Sequence, residues 1–191
     1  MTAPRTVETL AVVIPLKRIA DAKRRLREGG TPDVDALVRT LARGVIDAAR
    51  PRPTIIVTED DDVADFAASL GVEALRTTAR TLSDAVQFAY AALGERFERL
   101  TIAHADLASP AGLGEYAPRP GITLVADHHG RGTTVMSLET GLDFHFAYGA
   151  NSLTRHLQEA RRLEVDVTVI MDSTWSRDVD EPADLESFRW S

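Results

Sequence analysis

Short apolar runs alternate with helical stretches through the first half of the chain. Residues 10–14 and Thr54–Thr58 are runs rich in β-branched residues without polar alternation, typical of parallel strands buried on both faces. Between them, Thr31 and Pro32 predict a helix start, and apolar residues recur at helical spacing through Ala49. The same alternation continues with predicted helices over 60–70 and 83–93 and predicted strands over 72–75 and 100–105.

This regular alternation ends after Asp106. Ser109 and Pro110 predict a short helix, and extended stretches joined by glycine-containing turns follow over 122–126, 133–138 and 144–148. A helix over 151–163 and a strand over 165–171 complete the pattern. We therefore expect one α/β domain over 1–191, with a mixed, mostly parallel sheet covered by helices on both faces.

Composition and charge exclude several classes of protein. The 191 residues contain no cysteine, which excludes disulfide scaffolds, thiolate zinc sites and cysteine nucleophiles. A net charge of -7 has the wrong sign for a nucleic-acid-coating protein. The longest apolar run, residues 10–16, is far shorter than the roughly 20 residues of a membrane helix, so we expect a cytoplasmic protein without nucleic-acid or membrane partners.

A basic segment follows the first predicted strand. Five basic residues lie within the nine positions from Lys17 to Arg25 of this acidic chain. In open α/β sheets ligands bind outside the carboxyl ends of strands, and grouped cations there suit a triphosphate. The alternative to a triphosphate site is a basic loop that is simply exposed to solvent. The sequence lacks the glycine pattern of a P-loop.

Aspartates mark two further positions. Asp106 directly follows a predicted buried strand, and Asp178 and Asp180 are two residues apart, so extended backbone directs both carboxylates to one side. Converging carboxylates favour a hard cation such as Mg²⁺. A solvated turn is the alternative for any single Asp-x-Asp pair. The run 60–62 is interpreted as acids stabilised at a helix start.

A third candidate feature precedes the last predicted helix. The segment from Gly149 to Ser152 places free backbone N–H groups at a helix start, which suits an anion but also fits plain capping.

Five ordered motifs carry a family resemblance that covers nearly the whole chain. They are IPLKRIADAKRRL, HADL, DHHGRGTTVM, FAYGANSLTRH and RDVDEPADL. Together they resemble the CofC/FbiD family of guanylyltransferases of deazaflavin coenzyme F-420 biosynthesis. The resemblance implies a nucleotide-diphospho-sugar-transferase-like, Rossmann-like three-layer sandwich. It also implies transfer of GMP from GTP to a three-carbon phospho-acid, either phosphoenolpyruvate, 2-phospho-L-lactate or 3-phosphoglycerate.

The resemblance also assigns roles to individual positions. It implies metal ligation by Asp106, Asp178 and Asp180, with Mg²⁺ as the cofactor. Lys17, Lys23 and Arg25 match its triphosphate positions, and Lys23 is counted among the catalytic residues. Leu82 and Ser83 fall where the family approaches the nucleobase, whereas Thr133, Gly149 and Ser152 match contacts to the acceptor.

Four positions depart from the family pattern. Ala108 replaces a proline, which predicts a looser loop around Asp106, and Glu181 replaces a capping threonine. Thr134 replaces an asparagine that the FbiD branch also lacks, which favours phosphoenolpyruvate. Ser83 and the residue after it replace a more usual Asn-containing pair, which leaves the choice of nucleotide open.

The expected chemistry is an in-line attack by the acceptor phosphate on the α-phosphorus of GTP. A phosphate monoester has a second pKa of about 6, so this nucleophile needs no general base. Two alternatives stay open at this point: a nucleotidyltransferase of the same fold with another acceptor or base, and a relative that binds nucleotide without catalysis.

Overall fold

A seven-stranded sheet organises the computed structural model, which describes residues 8–186. Residues 1–7 and 187–191 of the predicted domain lie outside that range. The strands are β1 (Glu8–Pro15), β2 (Thr54–Thr58), β3 (Glu73–Arg76), β4 (Phe97–Ala103), β5 (Ile122–Ala126), β6 (Thr133–Glu139) and β7 (Val167–Ile170). Their order across the sheet is β3-β2-β1-β4-β6-β5-β7. Strand β6 is antiparallel to both neighbours and the other described pairings are parallel, which confirms the mixed, mostly parallel sheet.

Helices cover both faces of this sheet. They are α1 (Arg24–Glu28), α2 (Val34–Ala49), α3 (Asp61–Ser69), α4 (Leu82–Leu93) and α5 (Ser152–Arg162). Alternate residues of β1 point to opposite layers: Val12 and Ile14 pack in the core with α2 and α3, whereas Ala11 and Val13 pack in the core with α4 and α5. This arrangement confirms the three-layer sandwich, with one apolar core on each side of the sheet.

Helix starts follow local capping. The Asp60 carboxylate accepts a hydrogen bond from the Val63 N–H at 3.1 Å, so the predicted acidic start of α3 is confirmed. Helix α2 begins later than predicted, because Asp33 caps it, after Thr31 and Pro32. Ser83 is the predicted cap of helix α4, but Thr81 caps it instead, two residues earlier.

The predicted helix at Ser109 and Pro110 is wrong. This part of the chain forms turns instead, and its backbone is held against α2, where the Gly114 N–H donates to the Ala48 carbonyl at 2.8 Å. The approach is so close that a Cβ on Gly114 would lie 2.1 Å from the Arg50 carbonyl oxygen. Packing against another element therefore overrides the local helix signal.

The predicted extended stretch over 144–148 forms neither a strand of the described sheet nor a helical turn. Side chains, rather than a neighbouring strand, satisfy its backbone. The Gln87 amide bonds both the Phe144 carbonyl (3.1 Å) and the Phe146 N–H (3.2 Å), and the Ser83 hydroxyl accepts from the Tyr148 N–H at 2.9 Å. These bonds fix the segment beside the carboxyl end of β4 without extending the sheet.

None of the helices within residues 8–186 is long and apolar enough to cross a membrane.

Candidate active site

A cleft of about 400 Å³ opens where β1, β2 and β4 end and α4 begins. This is the edge at which ligands bind in open α/β sheets. Sequence-predicted residues on its walls are Lys17, Lys23, Leu82, Asp106, Asp178 and Asp180. The cleft walls also include Arg80 and His104, which no sequence motif had indicated as site residues.

Lys23 is the central cation of the cleft. It lies directly before α1 in a left-handed conformation, with φ of 56°, and its side chain is only 7% exposed. Its ammonium group donates to the Asp106 carboxylate and, at 2.5 Å, to Asp180 Oδ1. The segment after β1 thus positions one buried positive charge between the carboxylates of Asp106 and Asp180.

Two distant segments pair to bring the acids together. Residue Leu107 forms an isolated antiparallel bridge with Asp178, and the Val179 N–H donates to the Asp106 carbonyl at 3.1 Å. Val179 is buried in the core, so its neighbours at 178 and 180 are directed to the opposite side, as the sequence pattern predicted.

Both departures from the family pattern in this region have partners. The Ala108 N–H, which a proline would lack, donates to the Arg177 carbonyl at 2.9 Å and strengthens the same bridge. The Glu181 carboxylate accepts from Arg25 at 2.8 Å. The Ala108 N–H therefore stabilises the loop that follows Asp106, contrary to the predicted loosening.

The charges of the cleft are strongly interdependent. Burial opposes the charge of Lys23, but the carboxylates of Asp106 and Asp180 outweigh it and raise the lysine pKa. Burial likewise disfavours ionised Asp106, yet the Lys23 charge lowers the pKa of that carboxyl. Asp178 has no such neighbour: burial and the negative charges of Asp106 and Asp180 raise its pKa. The site holds more negative charge than Lys23 balances, an arrangement suited to an additional cation.

Three side chains could hold that cation. His104, Asp106 and Asp178 each offer one ligand atom, and these atoms lie within 4.8 Å of one another. Asp106 Oδ1 is buried and has no hydrogen-bond partner, so it is available to a metal. Asp180, predicted as the third ligand, is on the same cleft wall, but its Oδ1 accepts a hydrogen bond from the Lys23 ammonium.

The predicted triphosphate residues differ in their positions. Lys17 is exposed and lines the cleft with Lys23, and Arg80 adds a third cation from the loop before α4. Arg25 is not among the lining residues, and its guanidinium is paired with Glu181. Two of the three predicted cations are thus brought together.

Of the two predicted nucleobase residues, one lines the cleft and the other does not. Leu82 lies on the cleft wall and is 37% exposed, an unusual position for a leucine and a suitable apolar surface for a base. The Ser83 hydroxyl is not on that wall, since it binds the Tyr148 N–H instead.

The predicted acceptor residues form a second group around α5. Thr133 and Ser152 are both 2% exposed, whereas Gly149 is exposed with φ of 102°. His156 joins this group: its Nδ1 is 3.1 Å from Thr133 Oγ1, and its Nε2 accepts from the Ala147 N–H at 3.0 Å. Burial and the Arg155 charge lower the pKa of His156 to about 4, so the ring is neutral at pH 7.

His104 and Tyr148 link the two groups. The His104 N–H donates to the Thr134 carbonyl at 3.0 Å, and its ring centroid lies 5.7 Å from that of Tyr148. The Tyr148 ring in turn lies 4.9 Å from the His156 ring. One sequence signal could have selected His104, because residues two apart at a strand end share a face and His104 precedes Asp106 by two.

The fold matches those of solved nucleotidyltransferases. A nucleotidyl transferase from Methanothermobacter thermautotrophicus has a TM-score of 0.65 and 15% identity, covering 95% of this chain and 96% of that one. A 4-diphosphocytidyl-2C-methyl-D-erythritol synthase from Anaerococcus prevotii has a TM-score of 0.60 and 11% identity, covering 95% and 96%. This confirms the predicted fold, which the chain shares with nucleotidyltransferases of known structure.

The sequence matches a particular family within that class. Residues 10–188 match the family described as guanylyl transferase CofC like, and the chain therefore belongs to this family. A phosphoenolpyruvate guanylyltransferase from Sphaerobacter thermophilus is 30% identical, with 93% of this chain and 91% of the relative covered. One of the same name from Nocardia farcinica is 33% identical, with 96% and 85% covered. A 2-phospho-L-lactate guanylyltransferase from Methanothermobacter thermautotrophicus is 27% identical, with 91% and 81% covered.

Proposed function

We propose that this enzyme transfers GMP from GTP to the phosphate of a small three-carbon phospho-acid, with phosphoenolpyruvate as the favoured acceptor and pyrophosphate as the leaving group. The reaction belongs to deazaflavin coenzyme biosynthesis and uses Mg²⁺. Because GTP and phospho-acids are cytoplasmic metabolites, the cytoplasm is the proposed compartment.

One observation carries this proposal: a single cleft holds cations for a triphosphate beside a group of acids able to bind a metal. Lys17, Lys23 and Arg80 supply the positive charge, and Asp106 and Asp178 line the same cleft. Transfer between two phosphorylated substrates requires this combination, because both reactants are polyanions and repel each other.

The residues present fit a divalent cation. His104, Asp106 and Asp178 would hold it, since their ligand atoms are close together and Asp106 Oδ1 lacks another partner. When bound, Mg²⁺ would neutralise phosphate oxygens and polarise the α-phosphorus.

The protein's own groups position the reactants. The Lys17 and Arg80 side chains line the cleft and would bind the triphosphate, and the exposed Leu82 side chain would offer an apolar surface to the base. The acceptor phosphate is already ionised at pH 7, because its second pKa is about 6. The side chains therefore have to orient the attacking oxygen in line with the leaving pyrophosphate, and no residue has to remove a proton from it.

Phosphoenolpyruvate is favoured among the acceptors by two independent features. Four relatives that are at least 30% identical over most of their length carry its name. Thr134 also stands where the FbiD branch lacks the asparagine. The 2-phospho-L-lactate enzyme among the relatives makes that acid the second candidate.

A product assay tests the proposal. The purified chain is incubated with Mg²⁺, each of the four nucleoside triphosphates in turn, and phosphoenolpyruvate, 2-phospho-L-lactate or 3-phosphoglycerate; products are weighed by mass spectrometry and pyrophosphate is measured. We expect GMP joined to phosphoenolpyruvate, with stoichiometric pyrophosphate. Product formation only with another nucleotide or acceptor would indicate a different nucleotidyltransferase. GTP binding without any pyrophosphate would indicate a relative that has lost catalysis.

A further inference from the structure

Three buried side-chain atoms at or beside the cleft have no hydrogen-bond partner. Among residues 8–186 these atoms are His104 Nε2, Asp106 Oδ1 and Tyr148 Oη. His104 contacts both of the others: its Nδ1 is 4.0 Å from Asp106 Oδ1, and its ring packs against the Tyr148 ring. Buried polar atoms are nearly always paired, so a group of unpaired ones indicates a place for a polar ligand.

Asp106 divides its two oxygens between different partners. Its Oδ2 binds the Lys23 ammonium, whereas its Oδ1 lies on the side of His104 and has no hydrogen-bond partner. Metal–ligand distances for nitrogen and oxygen are about 2.0–2.1 Å, so one ion can join two ligand atoms up to about 4.2 Å apart. The separation of 4.0 Å between Asp106 Oδ1 and His104 Nδ1 lies within that limit.

His156 is a buried histidine whose ring has a structural role, and it differs from His104 in its hydrogen bonds. His156 has both ring nitrogens engaged, one with Thr133 and one with the Ala147 N–H. His104 has no hydrogen bond at Nε2, and only a distant carboxylate at Nδ1. Its backbone is nevertheless fixed, because its N–H continues the pairing of β4 to β6 through the Thr134 carbonyl. A fixed ring with unengaged nitrogens is an available ligand.

We infer that His104 is a ligand of the catalytic divalent cation, together with Asp106 and Asp178. The inference rests on the proposed function and adds a nitrogen donor to a site expected to be made of carboxylates alone. Imidazole favours first-row transition metals over Mg²⁺. The site therefore selects Mn²⁺ more strongly than an all-carboxylate site would.

Electron spin-echo spectroscopy of bound Mn²⁺ tests the ligand directly. Full-length protein is loaded with Mn²⁺ alone, and then with Mn²⁺ and GTP, and the coupling of a coordinated ¹⁴N nucleus is recorded. Growth on ¹⁵N-histidine must shift this coupling, which distinguishes imidazole from guanine nitrogen. We expect the coupling in the wild type and in His128→Gln, an exposed-histidine control, and its loss in His104→Gln.

A titration gives the second measurement. We expect His104→Gln to weaken Mn²⁺ binding roughly tenfold or more and Mg²⁺ binding by much less, since Mg²⁺ prefers oxygen. Mn²⁺ that binds the wild type without an imidazole coupling overturns the inference, whether or not the variant folds, and leaves the proposed function intact. Wild-type protein that makes product with GTP and an acceptor but binds neither metal also overturns it. Absence of product with every acceptor contradicts the proposed function instead.

Discussion

Asp178 is subject to two opposing requirements. Its carboxylate belongs to the group that could hold the metal, but burial and the charges of Asp106 and Asp180 raise its pKa, and Lys23 contacts the other two acids rather than this one. A raised pKa in a carboxyl means that its ionised form is disfavoured in the folded protein, so at neutral pH the charge costs stability. Function and stability are therefore in conflict at this residue.

Asp178→Asn is expected to separate these two effects. Pyrophosphate release should fall by roughly two orders of magnitude or more, because the amide cannot replace a charged metal ligand. Without metal, the melting temperature should rise by roughly 2–4 °C, the shift that about 1 kcal/mol produces in a domain of this size. Calorimetry in chelator and a pyrophosphate assay measure both.

Asp172→Asn is the matched control, an exposed acid ahead of the same bridge. It should change neither quantity. A folded Asp178→Asn enzyme with near-normal turnover would remove Asp178 from the site.

At the scale of elements, α5 organises the acceptor side of the cleft through one buried side chain. His156 joins α5 to β6 through Thr133 and to the segment over 144–148 through the Ala147 N–H. Because Nε2 accepts that N–H, the neutral ring carries its proton on Nδ1 and donates it to Thr133. Protonation of Nε2 would break the link between the helix and the segment.

This link predicts a specific dependence of stability on pH. The pKa of His156 is about 4 in the folded protein against 6.5 for an unperturbed histidine, so between these values the unfolded chain binds a proton that the folded chain does not. The contribution of His156 is therefore complete above pH 6.5 and decreases as pH falls to 4. The difference amounts to about 3 kcal/mol.

Urea unfolding of the wild type and His156→Gln across this pH range measures the contribution. The stability gap between the two proteins should shrink by about 3 kcal/mol as the pH falls through the range. His128→Gln, at an exposed histidine, should follow the wild type. A constant gap would show that His156 does not titrate as its burial implies.

At the scale of the whole molecule, the cleft is formed by an early and a late segment of the chain. Lys23 follows the first strand, whereas Asp178 and Asp180 arrive more than 150 positions later. Trp175 anchors this returning segment: it is 8% exposed, its indole N–H donates to the Ala111 carbonyl at 2.9 Å, and its ring packs edge-on against Tyr116. The acids are thus positioned by packing remote from the cleft.

Trp175→Phe should therefore affect both stability and catalysis. We expect the free energy of unfolding to fall by about 1–2 kcal/mol, because the Ala111 carbonyl loses its donor and the ring is smaller. Turnover should fall several-fold even though residue 175 lies outside the cleft walls. Phe88→Ser, at a ring that is 43% exposed on α4, should change stability by no more than about 0.5 kcal/mol. Unchanged turnover in folded Trp175→Phe would show that the acids are positioned without this anchor.

Much of the architecture and part of the site could be predicted from the sequence. The apolar runs at 10–14 and Thr54–Thr58 determined buried parallel strands, since a strand covered on both faces has no polar alternation. The family motifs also selected Lys23, Asp106 and Asp178, which the structure brings together. The local pattern was misleading at Pro110, where the backbone packs against α2 instead of forming a helix. The extended stretch over 144–148 does not join the sheet, because a side chain of α4 bonds its backbone.

By itself the sequence determined the order of elements, the mixed sheet and the family, because periodicity and motif order are local properties of the chain. Only the tertiary structure decided three contacts. Lys23 pairs with Asp180, the Ser83 hydroxyl accepts the Tyr148 N–H, and His104 lies beside Asp106 and Asp178. These are choices among polar partners that are far apart in sequence. Which donor meets which acceptor depends on the bridge between residues 107 and 178 and on the burial of both segments.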